Sequence, residues 1–342
     1  MYAGLESGAE NGNPGLTPEG RWHMVSRRDK VEIGNPGSSP ACGRASVIPR
    51  TIARRRARGR VVRELEVAIV EAPEIIGVGN REEWDYFKER YKTFLDRVGD
   101  LIAALNAAFI RTGFTAEPVD RVIFLLGRLC SEDFWEIVLL CANGYGVGAQ
   151  KILRGLYERS VTARYLHAHP EECDAFMEFY WIGQHRLGEA IRKTFGTDAL
   201  PDEKFREVQA NYQAVKSRFM VTDCKKCGTT RLNHTWSKLD VVSMAAEAGL
   251  GQLIVPGYYI PTRQAHSTMG AILSRLEQPA AGGIGFDPGP QRDDAHLALF
   301  TAHNLILNVL HLQKEHFHLD ALEAPVNKCS ADFLDIWKPS NR

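Results

Sequence analysis

Arg154 and Glu158 stand four residues apart in a stretch with helical apolar spacing, so their side chains face each other across one turn. The pair offers a guanidinium that can bind an anion and a carboxylate that can carry a proton. Around it, Ile152, Leu153, Leu156, Tyr157, Val161, Tyr165 and Leu166 make the segment apolar nearly all round, and such a helix belongs in the middle of a bundle. Charges buried there must be paired, because an unpaired one costs on the order of several kcal/mol. The plainer reading is an ion pair that fixes helix register. His266 is a second candidate: the spacing predicts a helix over 262–277, with Arg263 one turn back and Met269 and Leu273 on the face of His266, which predicts a partly buried ring. Cys224-Lys225-Lys226-Cys227 is a third. Two thiolates at that spacing suit tetrahedral zinc, and His234 supplies a third ligand. A closed site needs a fourth ligand, from His185 or His266. The expectation is no cofactor, with structural zinc as the alternative.

Other motifs carry less. Gly144-Tyr145-Gly146-Val147-Gly148-Ala149 matches a dinucleotide fingerprint, but that chemistry needs a strand-helix-strand unit, and no strand follows. Small residues that let two helices approach explain it equally well. His296, His303, His311 and His318 fall on one helical stripe. Glu315 and His318 make a single Glu-x-x-His pair, and a carboxylate-bridged metal centre needs two. Arg164 and His169 match the Arg-x4-6-His pattern of the helical HEPN ribonucleases. That resemblance implies metal-independent RNA cleavage, with the pair stabilising and shuttling protons at a scissile phosphate.

The elements that position these residues are helical. Apolar steps of three and four predict a long helix over 82–111 and others over 119–130, 134–142, 150–169, 170–187, 202–219, 238–248, 262–277 and 293–322. Ser131 reads as an N-cap, Ser237 as another, and Gly249 as a helix-ending glycine. Strand alternation is almost absent. The fold class is all-α: a single multi-helix bundle with long central helices over 64–325, preceded by a disordered tail over 1–60 and followed by a C-terminal tail over 326–342.

The 342 residues balance 42 Lys+Arg against 42 Asp+Glu, with 44% hydrophobic residues. Those values exclude a collagen-like chain or a disulfide scaffold. The balance hides a split. Residues 1–63 carry 12 basic and 5 acidic side chains, and the remainder 30 and 37. The first segment, rich in Gly, Pro and Ser and ending near Arg54-Arg55-Arg56-Ala57-Arg58, cannot bury enough apolar surface to order itself. It reads as a solvated basic tail, an arm for phosphates, or sequence upstream of a true start at Met24 or later. Seven scattered cysteines fit the cytoplasm, and no uninterrupted apolar run predicts a membrane span.

The run Leu153-Arg154-Gly155-Leu156-Tyr157-Glu158-Arg159-Ser160-Val161-Thr162, then Tyr165-Leu166 and Pro170-Glu171, resembles an uncharacterised bacterial helical family, domain of unknown function 5677. Trp236-Ser237, Ala245-Ala246-Glu247-Ala248-Gly249-Leu250, Tyr258-Tyr259 and His266-Ser267 follow in the order of that family. The resemblance implies a helical bundle and marks Arg154, Glu158 and His266 as its polar positions. It implies no chemistry. Arg154 and Glu158 are accordingly expected to meet His266, as an anion-binding Arg beside a Glu/His proton-transfer pair. The alternatives are the ribonuclease reading through Arg164 and His169, with RNA as partner, and a non-enzymatic interaction bundle. A homodimer is the expected assembly.

Overall fold

The computed structural model of the chain describes residues 79–111, 117–223, 227–277, 284–287 and 289–338, all within the second of its two units, 72–342. The basic segment 1–60 lies outside the described residues.

Helix α1 (Arg81–Arg90) starts at Asn80, whose side-chain oxygen accepts from the Glu82 amide at 3.0 Å. Helices α2 (Lys92–Phe109), α3 (Pro118–Ala142), α4 (Gly146–Ala168), α5 (Cys173–Phe195) and α6 (Asp202–Val215) succeed it. An antiparallel ribbon of β1 (Met220–Thr222) and β2 (Thr230–Leu232) leads to α7 (Val241–Glu247). A π-helical turn, Val255–Tyr259, runs into α8 (Ile260–Ala265) and α9 (Met269–Leu273). A second ribbon pairs β3 (Leu276–Glu277) with β4 (Gly285–Phe286); α10 (Arg292–His316) and α11 (Glu323–Ile336) follow. The fold is all-α with two small ribbons.

Helices α3, α4 and α10 pack on one another and form the centre. Between Gly146 and His167, Lys151 alone is exposed, so α4 is the innermost helix. The glycine run serves this packing. A Cβ on Gly146 would lie 2.1 Å from the Gln291 carbonyl oxygen and 2.4 Å from the Ala295 nitrogen, both backbone atoms. Gly144 turns the chain at φ +74°, and its carbonyl accepts from the Gln291 amide at 3.0 Å. Beside the turn, the buried carboxylate of Glu83 takes both Nε and Nη2 of Arg292, at 3.1 and 2.7 Å. Helix α10 is long and apolar enough to cross a membrane, but 67% of that window is buried inside the bundle, which marks a core helix.

Three of the striped histidines line the face of α10 that meets α11 and the α1–α2 break. Tyr91 Oη lies 3.2 Å from His296 Nδ1, Trp337 Nε1 donates to His303 Nδ1 at 3.1 Å, and His311 Nε2 lies 3.0 Å from Ser330 Oγ. Burial lowers the pKa of all three, that of His303 to about 4. His318 lies past the helix end, at φ 52°.

Several boundaries differ from the spacing. The helix over 82–111 is broken at Tyr91. Ser131 caps nothing: Gly127, Cys130, Phe134, Ile137 and Cys141 stay buried in steps of three and four, so α3 runs straight through. Asp240 rather than Ser237 caps α7, its carboxylate accepting from the Ser243 amide at 2.8 Å; Gly249 does end that helix, at φ +71°. The helix over 262–277 is two short helices. His266 is extended, and the Thr268 hydroxyl donates to the Arg263 carbonyl while accepting from the Ala271 amide. One hydroxyl thus closes α8 and opens α9, and His266 is exposed rather than partly buried. Residues 326–336, read as tail, belong to α11, because Val326 and Cys329 are buried in the core.

Two outcomes follow. A buried neutral histidine disfavours the proton that the unfolded chain accepts near pH 6.5, so stability is complete above that pH and is lost as the pH falls towards 4. His303 alone is expected to cost about 3 kcal/mol by pH 4. Urea unfolding at pH 7 and pH 4.5 measures this, and His303→Leu should flatten the difference. Gly146→Ala should lower stability by at least about 2 kcal/mol, because the clash is with backbone that cannot rotate away; the same urea midpoints at pH 7 check it.

Candidate functional site

Arg154 and Glu158 leave the inner surface of α4 on its one partly open strip, with 26% and 41% of their side chains exposed. Arg154 Nε donates to Glu158 Oε1 at 3.0 Å, and Nη1 lies 2.9 Å from His266 Nε2. A guanidinium only donates, so His266 Nε2 is the acceptor and its ring proton sits on Nδ1. The break between α8 and α9 makes this contact possible: His266 in the extended conformation reaches back to α4 across 112 residues of sequence.

Tyr258 completes the cluster. The Arg154 guanidinium lies over its ring at 5.1 Å, a cation–π contact on the π-helical turn. The turn comes this close because Gly257 packs on Tyr157. A Cβ there would lie 2.6 Å from Cδ2 of that ring, which is fully buried and donates its hydroxyl to the Leu250 carbonyl at 3.1 Å. Burial pushes the Tyr157 hydroxyl up to about 12, so it stays protonated and remains a structural donor. The cluster as a whole is one guanidinium held on three sides, with its partners a carboxylate, an imidazole lone pair and an aromatic face. Such an arrangement can accept an oxyanion at the guanidinium and move a proton at the imidazole.

Arg164 and His169 do not share a groove. Arg164 Nη1 donates to Glu315 Oε2 at 2.7 Å on α10, whereas His169 Nε2 lies 3.1 Å from Glu247 Oε2 on α7. Five residues along a helix turn by about 140°, which sends the two side chains to different neighbours. Among the described residues the two side chains therefore have separate partners, one on α10 and one on α7. Arg164 instead ends a polar chain that spacing did not show. His316 Nε2 faces Asp120 Oδ1 at 2.9 Å, and its Nδ1 meets Nδ1 of His167 at 2.9 Å. Burial lowers the pKa of His316. A neutral His316 that donates to Asp120 must accept at Nδ1, so His167 supplies that proton. His167 Nε2 lies 3.4 Å from Glu315, whose pKa the Arg164 hydrogen bond lowers.

Of the proposed zinc ligands, Cys224 lies outside the described residues. Cys227 Sγ lies 2.6 Å from Thr229 Oγ1, and His234 is exposed. His185, a possible fourth ligand, stacks on Tyr212 at 3.9 Å instead. Among the described residues no three His, Cys, Asp or Glu side chains form a metal-holding group.

Sequence reasoning missed Tyr258 and the His167–His316 pair as parts of a site. For Tyr258 the signal was present: a Pro256-Gly257 step directly before two tyrosines. For the histidines there was none, because their contact joins positions 149 residues apart.

The family of unknown function DUF5677 matches residues 120–284. Over those residues the chain is similar to this family. The match runs from the first turn of α3 to the second ribbon, just under half of the chain. It contains Arg154, Glu158, Tyr258 and His266, whereas Glu315 and His316 lie beyond it. No curated protein and no solved structure matches the chain.

Gly257→Ala tests how the site is built. The buried Tyr157 ring cannot yield, so the π-helical turn must move, at a cost of about 1–3 kcal/mol. The expected result is a lowered urea midpoint together with a changed His266 imidazole resonance in NMR spectra, as Tyr258 leaves Arg154.

Proposed function

We propose that Arg154, Glu158 and His266 form a site that binds an oxyanion and transfers a proton, acting on a phosphoester or a chemically similar substrate in the cytoplasm. The observation that carries the reading is the shared guanidinium: Arg154 holds the carboxylate through Nε and the His266 lone pair through Nη1, at a surface open to solvent. An oxyanion that takes Nη1 displaces His266 and leaves its Nε2 lone pair beside the bound substrate, ready to accept a proton from an attacking hydroxyl. Glu158 keeps the guanidinium oriented, and the proton that His266 receives passes to the leaving oxygen as the phosphoester bond breaks. The buried thiols of Cys130, Cys141, Cys173 and Cys329, none of them in a disulfide, support a reducing compartment.

The competing reading is a polar network that only sets packing. Exposed ion pairs contribute about 0–1 kcal/mol, so the two readings differ in what Arg154→Gln does. A ligand site predicts at least tenfold weaker binding of inorganic phosphate by calorimetry with little change in the urea midpoint. In the same site His266→Ala retains phosphate binding and loses hydrolysis of a nitrophenyl phosphodiester. A packing network predicts for Arg154→Gln a fall in stability of no more than about 1 kcal/mol and no ligand phenotype, with phosphate bound no better by the wild type than by the variant.

A further inference from the structure

The far end of α4, about 22 Å from Arg154 along the helix axis, borders a cleft of about 470 Å³ between α5, the β1–β2 ribbon and α7. That volume falls within the range of small-molecule sites. Its wall is aromatic: the Tyr165 and Trp236 rings meet edge to face at 5.9 Å. Two carboxylates border it, each engaged through one oxygen. Glu172 accepts the Tyr165 hydroxyl at 2.9 Å, and Glu247 lies 3.1 Å from His169. Among the described residues the second oxygen of each takes no hydrogen bond. The cleft also has two cations in different states. Arg218 is held by Glu178 at 2.9 Å, whereas Lys238 makes no hydrogen bond or ion pair among the described residues.

An aromatic face, open carboxylate acceptors and an unengaged ammonium select a ligand that is planar, donates N–H groups and ends in an anion. We infer that this cleft binds a guanine nucleotide, its base against Trp236, its N–H edge on Glu247 and its phosphate at Lys238. Guanine offers adjacent ring and amino N–H donors, and the other common bases offer no such pair; the open oxygen of Glu247 accepts one, and the second lone pair of its His169-bound oxygen accepts the other. The same chemistry is presented by free guanosine monophosphate and by the terminal guanosine phosphate of an RNA. The inference stands apart from the Arg154 site, with which the cleft shares no residue.

Calorimetric titration of the full chain with guanosine 5′-monophosphate tests it. One saturable site is expected, with binding at least tenfold weaker in Glu247→Gln and in Lys238→Ala. Both side chains are exposed, so both variants should keep the wild-type circular dichroism spectrum. Guanosine without phosphate should bind Lys238→Ala and wild type alike, and cytidine monophosphate should bind more weakly than the guanine nucleotide. A trinucleotide ending in guanosine 3′-phosphate separates the sources: equal or tighter binding with the same variant pattern assigns the RNA end, and weaker binding assigns the free nucleotide. Absence of saturable binding at millimolar nucleotide, or wild-type affinity in both variants, overturns the inference.

Discussion

The near-complete enclosure of α4 is the constraint on which the rest depends. Helices α3, α4 and α10 share one centre, and at Gly146 the α4 backbone comes very close to that of Gln291 and Ala295. That approach fixes the start of α10 beside the α3–α4 turn, where the Glu83–Arg292 pair and the Gly144 carbonyl lock it. Once α3, α7, α8 and α10 have covered α4, its polar side chains reach solvent in few places. One is the strip that carries Arg154 and Glu158; another is the C-terminal turn that carries His167 and His169. Both candidate sites are consequences of where the wrapping stops.

The covering elements are specialised at those places. Over the strip lies a π-helical turn followed by a helix that ends early, rather than a regular helix. A π turn widens the backbone and rotates later side chains out of α-helical phase, which here points Tyr258 at Arg154. The stop at His266 rests on one hydroxyl, that of Thr268, which serves both flanking helices. On the other side, α10 meets α11 through three imidazoles where aliphatic side chains would serve packing as well. Their lowered pKa values make that seam sensitive to acid, while α4 is sealed on its inner face by aliphatic and aromatic contacts.

What the sequence revealed follows from range. The Arg154–Glu158 contact is set by helical period alone, so four-residue spacing is enough to find it. The helical class was legible for the same reason, as was the role of Gly249, where only a left-handed residue ends the helix. The meeting of Arg154 with His266 was reachable only through the family resemblance, since nothing local specifies which helix faces which. The conformation of His266 was misread, because apolar spacing at Met269 and Leu273 continues through a break that a single threonine hydroxyl imposes. The same blindness split α3 falsely at Ser131: a residue fit to cap a helix is only a cap if the buried positions on either side fall out of phase, and Cys130 and Phe134 do not.

Magnitudes separate the two Arg–Glu pairs of this bundle. Glu83 is 4% exposed and accepts two guanidinium hydrogen bonds; removing Arg292 would leave a buried carboxylate uncompensated, at a cost of about 3–5 kcal/mol. That pair is explained by architecture. Arg154 and Glu158 are both partly solvated, and an exposed i, i+4 pair contributes only about 0.3–0.5 kcal/mol. Stability at that level would be served as well by a simpler polar surface. Yet the guanidinium is engaged by three groups from two distant parts of the chain, and positioning them takes a strictly placed glycine, a π-helical turn and a broken helix. The small stability that the ion pair returns therefore does not by itself account for the placement of Tyr258 and His266 around the same guanidinium.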